Sequence, residues 1–171
     1  MQDQKIAFIR EIFSSRLDTL MHLLQVAEEQ SGKDDILQKR IAPDMLPFGT
    51  QVAFTCNQPR AFALWCNGEA VENLGPAVGS FSLARDHVRH TRALLDNIDA
   101  PDAKLDETKR LELGPGLYAE LSGHAYVHDF LIPNFYFHLT TAYDILRMTG
   151  AQIGKRDFML HLMPHVRRSD T

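Results

Sequence analysis

The chain offers eight histidines and two cysteines for acid–base, nucleophilic or metal chemistry, and their spacing narrows what each can do. His124 and His128 form an H-x-x-x-H pair. On a helix that spacing puts both rings on one face and suits a divalent ion such as zinc or nickel. Such a pair also arises by chance among eight histidines, and exposed histidines in a first helical turn are the plainer reading. His87 and His90 recur at i, i+3, while His161 and His165 flank Pro164 in a tail and read as solvent-exposed. Cys56 and Cys66 share one apolar-periodic segment and read as free thiols, inert unless a cation lowers their pKa. No G-x-S-x-G, P-loop or G-x-G-x-x-G occurs, so hydrolase and nucleotide-binding readings lack their motifs.

His138 is the exception, because it stands inside "PNFYFHLTTAYDILR" (133–147) among apolar neighbours, four residues after Asn134. At about 100° per residue, Ile145, His138, Ala142, Phe135, Leu146 and Leu139 fall in one arc, roughly 20° to 140° from Asn134. Thr140, Asp144 and Arg147 lie opposite, and Tyr136 and Tyr143 flank the arc. An earlier helical segment repeats the pattern: Gln51, Thr55 and Gln58, at i, i+4 and i+7, sit within an arc of Phe48, Val52, Phe62 and Trp65. If both arcs face one core, these polar side chains must pair with one another or with water, since each costs about 1–3 kcal/mol when buried unpaired. The expected pocket is therefore Gln51, Thr55, Gln58, Asn134, His138, Tyr136 and Tyr143. The plainer alternative is a core histidine satisfied across the bundle by a Gln or Tyr.

Four amphipathic segments must position these residues. Ile6, Ile9, Phe13, Leu17, Leu20, Leu24 and Ala27 predict a helix over 3–30, with Gly32 as its C-terminal cap. Asp44 is the expected N-cap of a second helix over 44–67, closed by Asn67-Gly68. A third runs over 80–98 and a fourth over 122–149. Between the last two, alternating leucines around Gly114-Pro115-Gly116 predict a β-hairpin over 109–121, too small to build a sheet core. Pro133 either kinks the fourth helix or starts a new one after a break. The tail, 151–171, is expected to dock Phe158 and Leu160 through a short helical turn. The whole chain, 1–171, reads as one domain.

Hydrophobic residues make up 44% and charged residues 23% of the chain, ordinary globular usage, and the net charge is −4. That balance gives no footprint for nucleic acid, and no run of 18 apolar residues suggests a membrane span. The N-terminal residues lack the pattern of a secretory signal, so the expected compartment is the cytoplasm.

"PNFYFHLTTAYDILR" followed by "GAQIGKRDF", with "RIAPDMLPFGTQV" earlier, resembles a family of bacterial proteins of unknown function within the DinB/YfiT-like superfamily. The resemblance runs from "AFIREIF" to "GKRDF". It implies an all-α, DinB/YfiT-like four-helix bundle, often a homodimer, to which the chain's own pattern adds a small β-hairpin before the last helix. Better-known superfamily members resemble metal-dependent thiol transferases and isomerases. Their metal is held by one His of the second helix and an H-x-x-x-H pair of the fourth. Here the second helix contains no His, and His138 has Asn134 at i−4 and Ala142 at i+4. The three-His site is incomplete, and one imidazole with two amides suits zinc or nickel poorly. No metal is therefore expected, with His138, His124 and His128 the candidates if one binds. The first reading is a DinB-like protein of undetermined activity that binds a small molecule in the polar pocket. A divergent metal-dependent transferase and a structural or regulatory dimer are the alternatives.

Overall fold

The computed structural model describes residues 4–31 and 34–168. Its first helix, α1 (Lys5–Ser31), begins where Asp102 accepts the backbone N–H groups of Gln4, Lys5 and Ile6 at 2.9–3.0 Å. Those contacts satisfy donors that any helix start leaves open and hold the Asp102 carboxyl below the usual carboxylate range. The apolar stripe from Ile6 to Ala27 is buried as its spacing requires. The expected cap Gly32 lies outside the described residues.

A 3₁₀ turn, Asp34–Gln38, leads to α2 (Phe48–Cys66). The helix starts four residues later than expected: Pro47, in extended conformation, precedes the first helical residue, and Asp44 lies in the preceding turn instead of capping α2. Proline needs no amide partner and disfavours helical geometry in the residue before it, so Pro47 sets the boundary that Asp44 only suggested. Almost every side chain of α2 is buried, which makes it the central helix. The third helix, α3 (Phe81–Asp96), has Ser80 as its N-cap, with Ser80 Oγ accepting from the Leu83 amide at 3.2 Å.

After a second 3₁₀ turn, Asp102–Asp106, the antiparallel pair β1 (Thr108–Gly114) and β2 (Leu117–Ser122) forms the expected hairpin. Gly116, at φ +74°, supplies the left-handed turn residue. Leu111 and Leu121 rest on the core, while Leu113, Leu117 and Tyr118 stay exposed. The chain then enters α4, built of three consecutive pieces: an opening turn (Gly123–Ala125), a π-helical segment (Tyr126–Leu131) and a regular helix (Ile132–Met148). Gly123 is required by close packing, since a Cβ there would meet the Trp65 ring at 2.4 Å and the Leu105 carbonyl oxygen at 2.7 Å.

The helix α4 packs most extensively on α2, α2 also packs on α3, and α3 on α1. One apolar cluster runs through all four, centred on Phe13, Phe48, Phe62 and Phe135. Phe13 sits edge-on to Phe135 at 5.1 Å and tilted against Phe62 at 5.8 Å. The tail folds back as a short helix, α5 (Lys155–Phe158), and a 3₁₀ segment, Leu160–His165, against α1. His161 is consequently half-buried, a correction to the exposed position expected for it.

Candidate functional site

The facing surfaces of α2 and α4 bring together two of the polar side chains singled out above. His138 Nδ1 lies 2.8 Å from Gln51 Oε1, and both side chains are buried. Gln51 Nε2 donates to the Leu46 carbonyl at 3.1 Å, which fixes the orientation of the amide. Its oxygen can therefore only accept, so His138 Nδ1 carries the proton and Nε2 keeps its lone pair. Burial holds the imidazole below its ordinary pKa, in the neutral form. Phe54 and Phe137 present edge-on contacts to the ring at 5.4 and 5.2 Å, fixing its plane.

The remaining residues of the expected pocket are spent locally. Thr55 Oγ donates to the Gln51 carbonyl at 2.8 Å, and Gln58 Nε2 to the Phe54 carbonyl at 3.2 Å. Asn134 Nδ2 donates to the Phe130 carbonyl at 2.8 Å and gives His138 no hydrogen bond. Tyr136 packs on Phe135, and Tyr143 turns to the tail, where its ring meets Phe158. Tyr143 and Phe158 line a separate cavity of about 180 Å³ with Thr140 and Lys155.

Pro133, the second residue of the regular helix, stands immediately before Asn134. Proline has no amide hydrogen, and just before it the Ile132 amide reaches back five residues to the Val127 carbonyl. The π turn thus absorbs the proline without a break. Its wider winding also sets Tyr126 and Phe130 in a near-parallel stack, 5.9 Å apart with 13° between their planes. These two rings wall a cavity of about 280 Å³ between α2, α4 and the hairpin, with Phe54, Asn57, Gln58 and Leu111 among the other lining residues. Phe54 joins the two features, since the same ring lines the cavity and touches His138.

Within that cavity Asn57 Oδ1 accepts the Leu74 amide at 2.8 Å and anchors the loop after α2. Asn57 Nδ2 and Gln58 Oε1 remain without protein partners among the described residues, and both residues line the cavity with the two rings. Neither Asn57 nor the Tyr126–Phe130 stack figured in the sequence reading. The signal that could have found them is Pro133 inside a helical pattern that follows two aromatics spaced four apart.

The donor set does not fit a zinc or nickel ion. His138 contributes one free nitrogen, Gln51 is a neutral amide already engaged twice, and Asn134 is bonded to its own helix. His124 lies 3.7 Å from Asp106, and His128 is exposed on the π turn. Among the described residues no group of three His, Cys, Asp or Glu side chains converges as metal ligands. Cys56 and Cys66 are buried free thiols, both pushed up to about 12 by burial, which keeps them protonated. No described helix is long and apolar enough to cross a membrane.

A family model described as "Domain of unknown function (DUF1993)" matches residues 7–159. Among curated proteins, no sequence matches this one. Among solved structures, a DinB family member protein from Shewanella denitrificans is similar in fold, with a TM-score of 0.75 and 24% sequence identity. The alignment covers 91% of this chain and 95% of that one.

Proposed function

We propose, from the premise that the chain belongs to the family of the domain of unknown function DUF1993 and has a DinB-like fold, that it binds a small organic molecule in the cavity beside His138. The observation that carries this reading is the mixed character of the cavity. Tyr126 and Phe130 of the π turn line it together with Asn57 and Gln58, each of which keeps one amide atom without a protein partner among the described residues. Pockets of roughly 300–1,000 Å³ with mostly apolar walls and a few convergent polar groups are the usual form of small-ligand sites. A volume of about 280 Å³ falls just below that range, so the ligand is compact. The apolar rings in the wall suit an apolar body, and one edge should carry both a donor and an acceptor. In this reading the His138–Gln51 pair fixes the register of α2 against α4 and supports Phe54, without itself contacting the ligand.

The experiment is a ligand-observed and protein-observed NMR screen with compact planar amides and heterocycles. Saturable shifts centred on Phe54, Asn57, Gln58 and Tyr126, lost in Phe130→Ala, support the reading. Binders that perturb only other resonances, or no binder at all, refute it. A homodimer belongs to the same proposal, resting on the exposed side chains of Phe8 and Phe137 and on the family resemblance. Light scattering that returns a monomer at micromolar concentration would reject it.

A further inference from the structure

The lining of the cavity between α2, α4 and the hairpin carries an unbalanced charge. Three aromatic side chains share its wall: Phe54 of α2, and Tyr126 and Phe130 of the π turn. Among the described residues that line it, Glu112 of β1 is the one charged side chain. Glu112 Oε1 accepts from Arg110 Nε at 2.7 Å, while its Oε2 has no protein partner among the described residues. Both side chains of that pair are more than half exposed, so water screens it and the carboxylate stays open to a second cation. Arg110 does not line the cavity, and its guanidinium lies 3.7 Å from the centre of the Tyr118 ring.

Aromatic rings and a carboxylate share one electrostatic preference, since both attract an ammonium group and neither attracts an anion. The same ring cluster already holds a cation from the chain itself: Lys109 Nζ lies over the Tyr126 ring at 5.8 Å, within the reach of such contacts. Lys109 stands outside the lining, and among the described residues no lysine or arginine lies over Phe54 or Phe130. Two other cavities lack this combination. One of about 320 Å³ at the C-terminal end of α2 contains Lys104, paired with Glu107 at 2.7 Å, and the one beside Phe158 contains both Asp144 and Lys155. Resting on the reading that the cavity beside Phe54 is a ligand site, we infer that its ligand is a compact organic cation. An alkylammonium end takes the rings and Glu112, and a polar end meets Asn57 and Gln58. A hydroxyl suits that polar end, because it accepts from Asn57 Nδ2 and donates to Gln58 Oε1.

The test uses three probes of similar shape and different charge: choline, its neutral isostere 3,3-dimethylbutan-1-ol, and 3,3-dimethylbutanoate. Each is titrated into the full chain at constant ionic strength, with the NMR signals of Phe54, Asn57, Gln58 and Tyr126 as the readout. Choline should saturate these signals about 3–10-fold more tightly than the alcohol, and the carboxylate should bind most weakly. Glu112→Gln removes the charge at an exposed position, and Phe130→Leu removes a ring while keeping an apolar side chain. Each should bring the affinity for choline down towards that for the alcohol. If the alcohol or the carboxylate binds at these signals as tightly as choline, the inference is overturned and the cavity remains a ligand site. Silence from all three probes also overturns it, and the cavity then stands or falls on the screen with amides and heterocycles. Choline affinity that is unchanged in either Glu112→Gln or Phe130→Leu overturns it as well, because the cation is then held by other groups.

Discussion

The helices α1 and α2 both send one face into the same core, yet they are stabilised differently. The inward stripe of α1 is almost wholly apolar, from Ile6 through Phe13 to Ala27. The helix α2 also buries Thr50, Gln51, Thr55 and Asn57. Three of those side chains anchor irregular backbone. Thr50 donates to the Pro76 carbonyl, Gln51 to the Leu46 carbonyl, and Asn57 accepts the Leu74 amide. A central helix flanked by loops has no solvent to satisfy them, so its own side chains supply the hydrogen bonds. Polar residues on an inward face are thus mainly a loop-fastening device here. The Gln51–His138 pair stands apart, because it joins two helices side chain to side chain.

The largest effect should come from the apolar side of this comparison. Phe13→Ala removes a fully buried ring that touches both Phe62 and Phe135. A loss of about 3–5 kcal/mol in chemical unfolding is expected, from lost burial and the cavity left behind. A loss below about 1.5 kcal/mol would mean that the core collapses around the gap and that α1 contributes less than its stripe implies.

Next in size is His138→Ala, which leaves Gln51 Oε1 buried without a donor. The expected cost is about 1–3 kcal/mol. In the double variant His138→Ala/Gln51→Met the two changes should be less than additive, because the second removes the orphan created by the first. Strict additivity in the double-mutant cycle would show that the pair does not act as a unit.

Asn134→Ala should cost less, about 0.5–1.5 kcal/mol, through the loss of one hydrogen bond to the Phe130 carbonyl. Its signature is local: hydrogen exchange should quicken across Tyr126–Leu131 and leave α2 unchanged. Asn134 also marks where the sequence stopped being legible. A wheel turned at a constant 100° carries α-helical geometry through residues 126–131, where the chain is π-helical, and it cannot weigh the carbonyls near Pro133 that compete for the Asn134 amide. The stripe of α1, the hairpin and the inward placement of His138 and Gln51 were readable, since each follows from local periodicity or turn chemistry. The start of α2 was misread from Asp44 because a capping side chain was weighed above Pro47. His161 was misread because the sequence suggests that the tail docks through its apolar Phe158 and Leu160, whereas which polar side chains that docking covers is set by tertiary packing on α1. The cavity was unreadable for the same reason, since its walls come from α2, β1 and the π turn.

The smallest effect, and the one most specific to the pair, is its response to pH. Burial depresses His138, so in the folded chain it takes up a proton only at a lower pH than in the unfolded chain, where it titrates near the ordinary value of about 6.5. Between those two values the unfolded state binds more protons, and stability there rises with pH. The contribution of neutral His138 is thus fully present above pH ~6.5 and is lost as pH falls through the folded-state pKa. His87 and His161 are depressed in the same direction, so wild-type stability alone does not isolate His138. The difference between wild type and His138→Gln does, because glutamine has no proton to gain. The wild-type profile should fall more steeply below pH ~6.5 than that of the variant. In NMR titration the His138 ring should remain neutral after exposed histidines have charged. A His138 ring that titrates at or above the ordinary value would place it in contact with water or with an acid, and would remove the distinction drawn here between α2's loop-fastening side chains and its one interhelical pair.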